Sequence, residues 1–95
     1  MRYSKKEYSF VRFEKSKTPK KKYDGILRNN LTKREVRVSF GARGYEQYFD
    51  RTGLGYFTKD NHEDKVRRKS YRARHKGFLK PGFYTPANFS WAFLW

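Results

Sequence analysis

The stretch TGLGYFTKDNHEDKVRRKSYRARH, Thr52 to His75, constrains this chain more than any other, because a glycine turn feeds what reads as a capped, strongly basic helix. Asn61 stands where an N-cap side chain accepts backbone N–H groups. Asp64 follows at the third helical position as a loose capping box, and Gly77 waits past the far end. The spacing predicts a helix over about residues 62–76, roughly 22 Å long. On a helical wheel Lys65, Lys69, Arg72 and Lys76 share one side with Arg68 beside them, while His62, Val66, Ser70 and Ala73 form a narrow side of small residues. The expectation is that the Val66 and Ala73 side packs on the core and the cations meet water or an anion.

A charge this one-sided needs a body to carry it. Lys and Arg outnumber Asp and Glu by 24 to 9, a net +15. Residues 1–50 carry fourteen basic and six acidic side chains and residues 51–95 carry ten and three, so the surplus is not a detachable tail. High charge with few aliphatic residues ordinarily means disorder. Here nine Phe, eight Tyr and two Trp supply the large buried areas that a small core needs. The 95 residues suit one domain. Its self-repulsion calls for an acidic partner, nucleic acid or an acidic protein surface, ahead of a membrane.

No cysteine is present, which excludes disulfides and thiolate metal sites and favours an intracellular life. The first ten residues lack the apolar centre of a signal peptide, and the most apolar run, Phe89 to Trp95, is far too short to span a membrane. Lys20 to Lys22 and Arg67 to Lys69 resemble nuclear-import clusters, but so basic a chain produces them by chance.

Taken in order, residues 8–13 are aromatic and β-branched enough for a strand, and residues 15–22 read as a loop. A hairpin follows near 23–40: a strand over 23–28, turn chemistry at Asn29 to Thr32, and a strand over 34–40 in which Val36, Val38 and Phe40 alternate with Glu35, Arg37 and Ser39. Residues 45–49 read as one helical turn or an irregular aromatic segment. Gly53 and Gly55 lack the strand, helix start and Lys of a phosphate loop, so they are turn glycines with positive φ. At the end, Thr85-Pro86 favours a helix start, yet Phe89, Trp91, Phe93 and Trp95 sit at period two like a strand. Helix is preferred. In either form these rings must dock into the core or another chain.

From Phe40 onward a signature emerges: Phe40-Gly41, Tyr45, Tyr48, Asp50, Thr52-Gly53-Leu54-Gly55, His62, Asp64-Lys65, Arg67-Arg68, Tyr71-Arg72, Arg74-His75, Phe89-Ser90-Trp91 and Leu94-Trp95. It resembles a family of small basic proteins of the nucleocytoplasmic large DNA viruses of eukaryotes, over a little more than half of the chain. Lys59, Asp60 and Ala92 depart from the pattern, and residues 1–20 have no counterpart, which leaves them as a flexible or partner-bound arm. The resemblance implies a protein of the virion, or of the viral factory in host cytoplasm or nucleus. The family has no assigned activity, so no catalytic residue is transferred.

The only histidines, His62 and His75, would lie about 20 Å apart along one helix and so could not share a metal. Asp60 and Asp64 have ready roles as helix-start acids. A small metal-dependent nuclease using His62 is thus a minor alternative, and the expectation is no enzyme, no cofactor and no metal. Candidate anion contacts are Lys65, Arg67, Arg68, Lys69, Arg72, Arg74 and Lys76, with Tyr71 interleaved; candidate core or docking rings are Phe89, Trp91, Phe93 and Trp95. The plainer reading of the same helix is a solvated face whose Lys and Arg stems cover aromatic surface. The expected fold is α+β: a small antiparallel sheet, one basic helix and an aromatic C-terminal segment. The expected function is a non-enzymatic minor capsid or core protein packing on acidic partners; the alternative is a sequence-independent DNA- or RNA-binding protein.

Overall fold

A computed structural model describes residues 3–95. Among them three strands form one antiparallel sheet in the order β1 (Tyr8–Lys15), β2 (Lys21–Asn29) and β3 (Glu35–Ala42), followed by α1 (Lys65–His75) and α2 (Pro86–Phe93). This is the expected α+β class. Residues 8–15 are an integral edge strand, so the reading of that part of the chain as an arm does not hold. The expected loop over 15–22 is also shorter, because β2 begins at Lys21.

Registry sorts the strand residues by face. The rows Phe10, Leu27, Val36; Phe13, Gly25, Val38; and Lys15, Tyr23, Phe40 alternate with the rows Ser9, Arg28, Glu35; Arg12, Ile26, Arg37; and Glu14, Asp24, Ser39. A bulge at Val11 lets Phe10 and Phe13 share the inner face, ring centres 4.7 Å apart. In the connection from β2 to β3 the Asn29 carboxamide oxygen accepts from the backbone N–H groups of Leu31 and Thr32. The predicted turn chemistry is therefore realised.

α2 starts as its sequence dictates. Thr85 is the N-cap, its hydroxyl accepting from the Asn88 N–H at 3.1 Å, and Pro86 fills the first turn. Helical spacing puts Phe89 and Phe93 one turn apart against Phe13, at 5.8 and 4.6 Å. Two glycines make this docking possible. A Cβ on Gly25 would lie 2.8 Å from the Phe89 ring, and one on Gly41, at φ +77°, would lie 2.9 Å from Leu94. Tyr23, Leu27, Val38, Phe40, Phe89 and Leu94 form the buried core.

Residues 43–61 are irregular and are pinned by a buried polar network. Lys22 is only 2% exposed, and its Nζ donates to the Tyr45 carbonyl at 2.6 Å and to Gln47 Oε1, with Asp60 at 3.5 Å. Burial lowers the Lys22 pKa, and Asp60 and Asp50 oppose that shift. The Tyr23 hydroxyl donates to Asp50 and accepts the Tyr56 N–H at 3.1 Å. The Asp50 carboxylate also holds the Thr52 hydroxyl and N–H. Gly53 and Gly55 turn at φ +83° and +74°, as expected of turn glycines.

This network overturns the expected helix cap. Asn61 is spent on it, its side-chain oxygen accepting from Gln47 Nε2 and the Asp50 N–H, both at 2.9 Å. Asp64 caps α1 instead, accepting from the N–H groups of Val66 and Arg67. The helix is consequently eleven residues long, and Gly77 belongs to a short 3-10 turn, Lys76–Phe78, rather than to a left-handed cap. His62 precedes the helix, so the two histidines do not lie on one axis.

Candidate functional site

The helix is rotated about half a turn from the orientation its wheel suggests. Val66 is 76% exposed, and Ser70 and Ala73 also face outward. The side facing the body carries Arg68, Tyr71, Arg72 and His75 instead. The reason is geometrical: Ala and Ser side chains are too short to reach the aromatic surface of α2, whereas rings and guanidinium planes cross the gap and lie flat on it. Tyr71 stacks on Trp95 at 4.1 Å and 4°, and His75 stacks on Tyr71 at 4.0 Å and 15°. His62 and Phe78 extend the ladder at its two ends, 5.2 Å from Trp95 and 5.8 Å from His75.

Arg68 lies over Tyr48 at 4.6 Å and donates through Nε to the main-chain oxygen of Trp95 at 2.6 Å. Arg72 lies over Trp91 at 4.7 Å, and its buried Nε has no hydrogen-bond partner among the described residues. Two of the expected anion contacts therefore also hold α1 to the body, the plainer of the two readings. Lys65, Arg67, Lys69, Arg74 and Lys76 stand exposed. Of the expected docking rings, Phe89 and Phe93 join the core, while Trp91 and Trp95 form the bed for the helix.

Along one flank of α1, Lys65, Arg68, Lys69 and Arg72 alone line an open hollow of about 340 Å³. No described Asp or Glu side chain lies within ion-pair distance of any of the four. Burial, then the charges of Arg68 and Arg51, lower the Arg72 pKa. Arg51 is thus a fifth cation of this neighbourhood, and nothing in the sequence pointed to it. Four of the acids are engaged elsewhere: Glu46 pairs with Arg67 at 3.1 Å, Asp60 faces Lys22, Asp50 holds Tyr23 and Thr52, and Asp64 caps the helix.

The other flank of α1 borders a groove of about 490 Å³ between the helix, the ends of β2 and β3, and the start of α2. Lys21, Tyr45, Arg67, Tyr71, Arg74 and His75 are among its lining residues. The His75 Nδ1–H donates to the Tyr71 carbonyl at 3.0 Å, which leaves Nε2 free. Lys21 and Tyr45 were not singled out as binding residues, although Lys21 lies in the lysine run and Tyr45 in the signature. Lys21 is placed at the groove by its pairing with Ala42 of β3, and Tyr45 by the hydrogen bond of its carbonyl to buried Lys22.

Neither histidine pairs with a carboxylate among the described residues. His62 Nδ1 accepts the Asp64 N–H at 2.9 Å, placing the proton of the neutral ring on Nε2, which is buried without a partner beside Tyr48 and Trp95. Burial, then Arg67, lowers its pKa against the opposing charges of Glu46 and Asp64. Among the described residues no three His, Asp or Glu side chains are placed to hold one metal ion, and no helix is long and apolar enough to cross a membrane. Comparison of the chain with family models, curated proteins and solved structures gave no match.

Proposed function

We propose that this chain is a non-enzymatic component of a large DNA virus particle, a minor capsid or core protein that sets its basic helix against an acidic partner. The observation that carries the polyanion part of this reading is the hollow lined by Lys65, Arg68, Lys69 and Arg72, four cations with no Asp or Glu among them. Like charges so close repel one another, and an anion seated there relieves the repulsion. The viral part rests on the signature from Phe40 to Trp95. Pull-down from disrupted particles, with and without nuclease, tests both parts. Recovery of capsid or core proteins after nuclease treatment supports the reading; absence of the protein from purified particles removes it.

One observation favours a second reading, sequence-independent binding of the viral DNA or RNA: the groove on the other flank sets rings beside cations. Salt separates the two. If six to ten phosphates are neutralised, affinity falls by about a thousandfold or more between roughly 50 and 200 mM salt. Absence of nucleic-acid binding at low salt ends this second reading and leaves the protein partner.

A further inference from the structure

We infer that the groove between α1 and the ends of β2 and β3 holds a short run of single-stranded nucleic acid, with phosphates on Lys21, Arg67 and Arg74 and a base against Tyr45. The inference rests on the nucleic-acid reading above and gives it a location and a strand state. Tyr45 is 72% exposed although it lines the groove, and Phe78 at the end of the ring ladder is 62% exposed. A protein that leaves such rings uncovered while burying Tyr23 and Phe40 completely has stacking surface to offer.

The cations bracket that surface. Lys21 and Arg74 have no described acid within ion-pair distance, and Arg67 has only the exposed Glu46 pair, weak enough for a phosphate to displace. The ring ladder supplies rigidity, since Tyr71 and His75 are fixed face to face and to Trp95. Paired bases keep their faces inside the duplex, so an exposed ring in a groove selects unstacked bases. An acidic peptide satisfies the cations but leaves the rings unused.

The test measures anisotropy of the full chain with labelled oligothymidine, competed by duplex of equal length, inorganic polyphosphate or polyglutamate, at about 50 mM salt. Oligothymidine is expected to bind most tightly. Tyr45→Ala should weaken it by about 5- to 150-fold, the range of one stacked base, and leave polyphosphate unchanged. The substitution keeps the backbone carbonyl that Lys22 binds, and circular dichroism verifies the fold. Arg74→Gln should weaken both ligands. Equal or tighter binding of the duplex, equal affinity for oligothymidine and polyglutamate, or indifference to Tyr45→Ala overturns the inference while the broader polyanion reading stands. Binding of no polyanion at all ends both.

Discussion

On the outer face of the sheet Arg12, Arg28 and Arg37 stand among Glu14, Asp24 and Glu35, whereas along α1 Lys65, Arg68, Lys69 and Arg72 stand among themselves. The sheet ions are linked in a chain: Arg28 to Glu35 at 3.0 Å, Glu35 to Arg12 at 3.5 Å, Arg12 to Glu14 at 2.6 Å, Glu14 to Arg37 at 2.9 Å and Arg37 to Asp24 at 3.3 Å. Ile26, flanked by Arg12 and Arg37 in its row, is 1% exposed under their stems. That surface is closed: its charge is spent within the chain. From residue 64 to residue 80 eight basic side chains face one acid, and that acid, Asp64, is committed to the cap. Net charge alone therefore misdescribes this molecule. Where the surplus is left uncancelled, not how large it is, marks the surface available to a partner.

The largest expected effect tests that difference directly. Replacing Arg51, Lys65 and Lys69 with Gln removes as much charge as replacing Arg12, Arg28 and Arg37 with Gln. If three phosphate contacts are lost, the first set should reduce polyanion affinity on the order of several hundredfold near 0.1 M salt and lower the salt slope by about 3. The second should change affinity little and lower stability instead. Equal losses from both sets, measured by salt-titrated binding and denaturant unfolding, would break the comparison.

Next in size is the buried network that holds Tyr45 beside α1. Burial, then the Asp50 hydrogen bond, pushes the Tyr23 pKa up to about 12. A raised folded pKa means stability fully present below the ordinary value of 10.0 and lost as pH climbs toward 12. Tyr23→Phe should cost about 1 to 3 kcal/mol by orphaning Asp50 and the Tyr56 N–H. It should also remove about 2 to 3 kcal/mol of the fall in stability across that alkaline window. Urea unfolding of both proteins from pH 9 to 12, ~1 unit apart, measures this; parallel curves would contradict it.

The sheet lattice predicts an acid counterpart. Burial raises the Asp24 pKa, but hydrogen bonds from Ser39, Ser16 and Arg37 outweigh it and the net shift is downward. Its contribution is therefore present above the ordinary 3.8 and lost as pH falls through the lower folded value. Asp24→Asn should cost about 2 kcal/mol at neutral pH and flatten the acid limb. An unchanged acid limb would show that the lattice is ornamental.

The smallest effects test the rotation of α1. Val66→Ser and Ala73→Ser should stay within about 0.5 kcal/mol, because both side chains face water. Tyr71→Ala should cost about 2 kcal/mol, through the lost stack on Trp95 and the lost burial. Thermal unfolding ranks the three, and a costly Val66→Ser would restore the orientation the helical wheel suggests.

Much of the architecture was legible beforehand, and the exceptions share a cause. The alternation of Val36, Val38 and Phe40 gave β3 its inner face, and Thr85-Pro86 outweighed the period-two rings that followed. Both are local signals, decided within a few residues. Asn61 failed as a cap because Gln47 and Asp50, far away in sequence, took its oxygen. The helix wheel failed for a related reason: periodicity measures where side chains point relative to one another, not which side the rest of the chain will meet. Gly25 carried no legible signal either, since its need for an absent Cβ comes wholly from Phe89.

By itself the sequence determined that this chain is cationic throughout, holds its core together with rings, turns at Gly53 and Gly55 and forms strands before helices. Those properties follow from side-chain chemistry and near-neighbour spacing. Tertiary structure alone decided which cations are cancelled and which are left. Ion pairing depends on distances of a few ångströms: the sheet registry brings Arg37 together with Glu14 and Asp24, whereas the docking of α1 on Trp91 and Trp95 leaves Lys65, Lys69 and Arg72 with no described Asp or Glu side chain in reach.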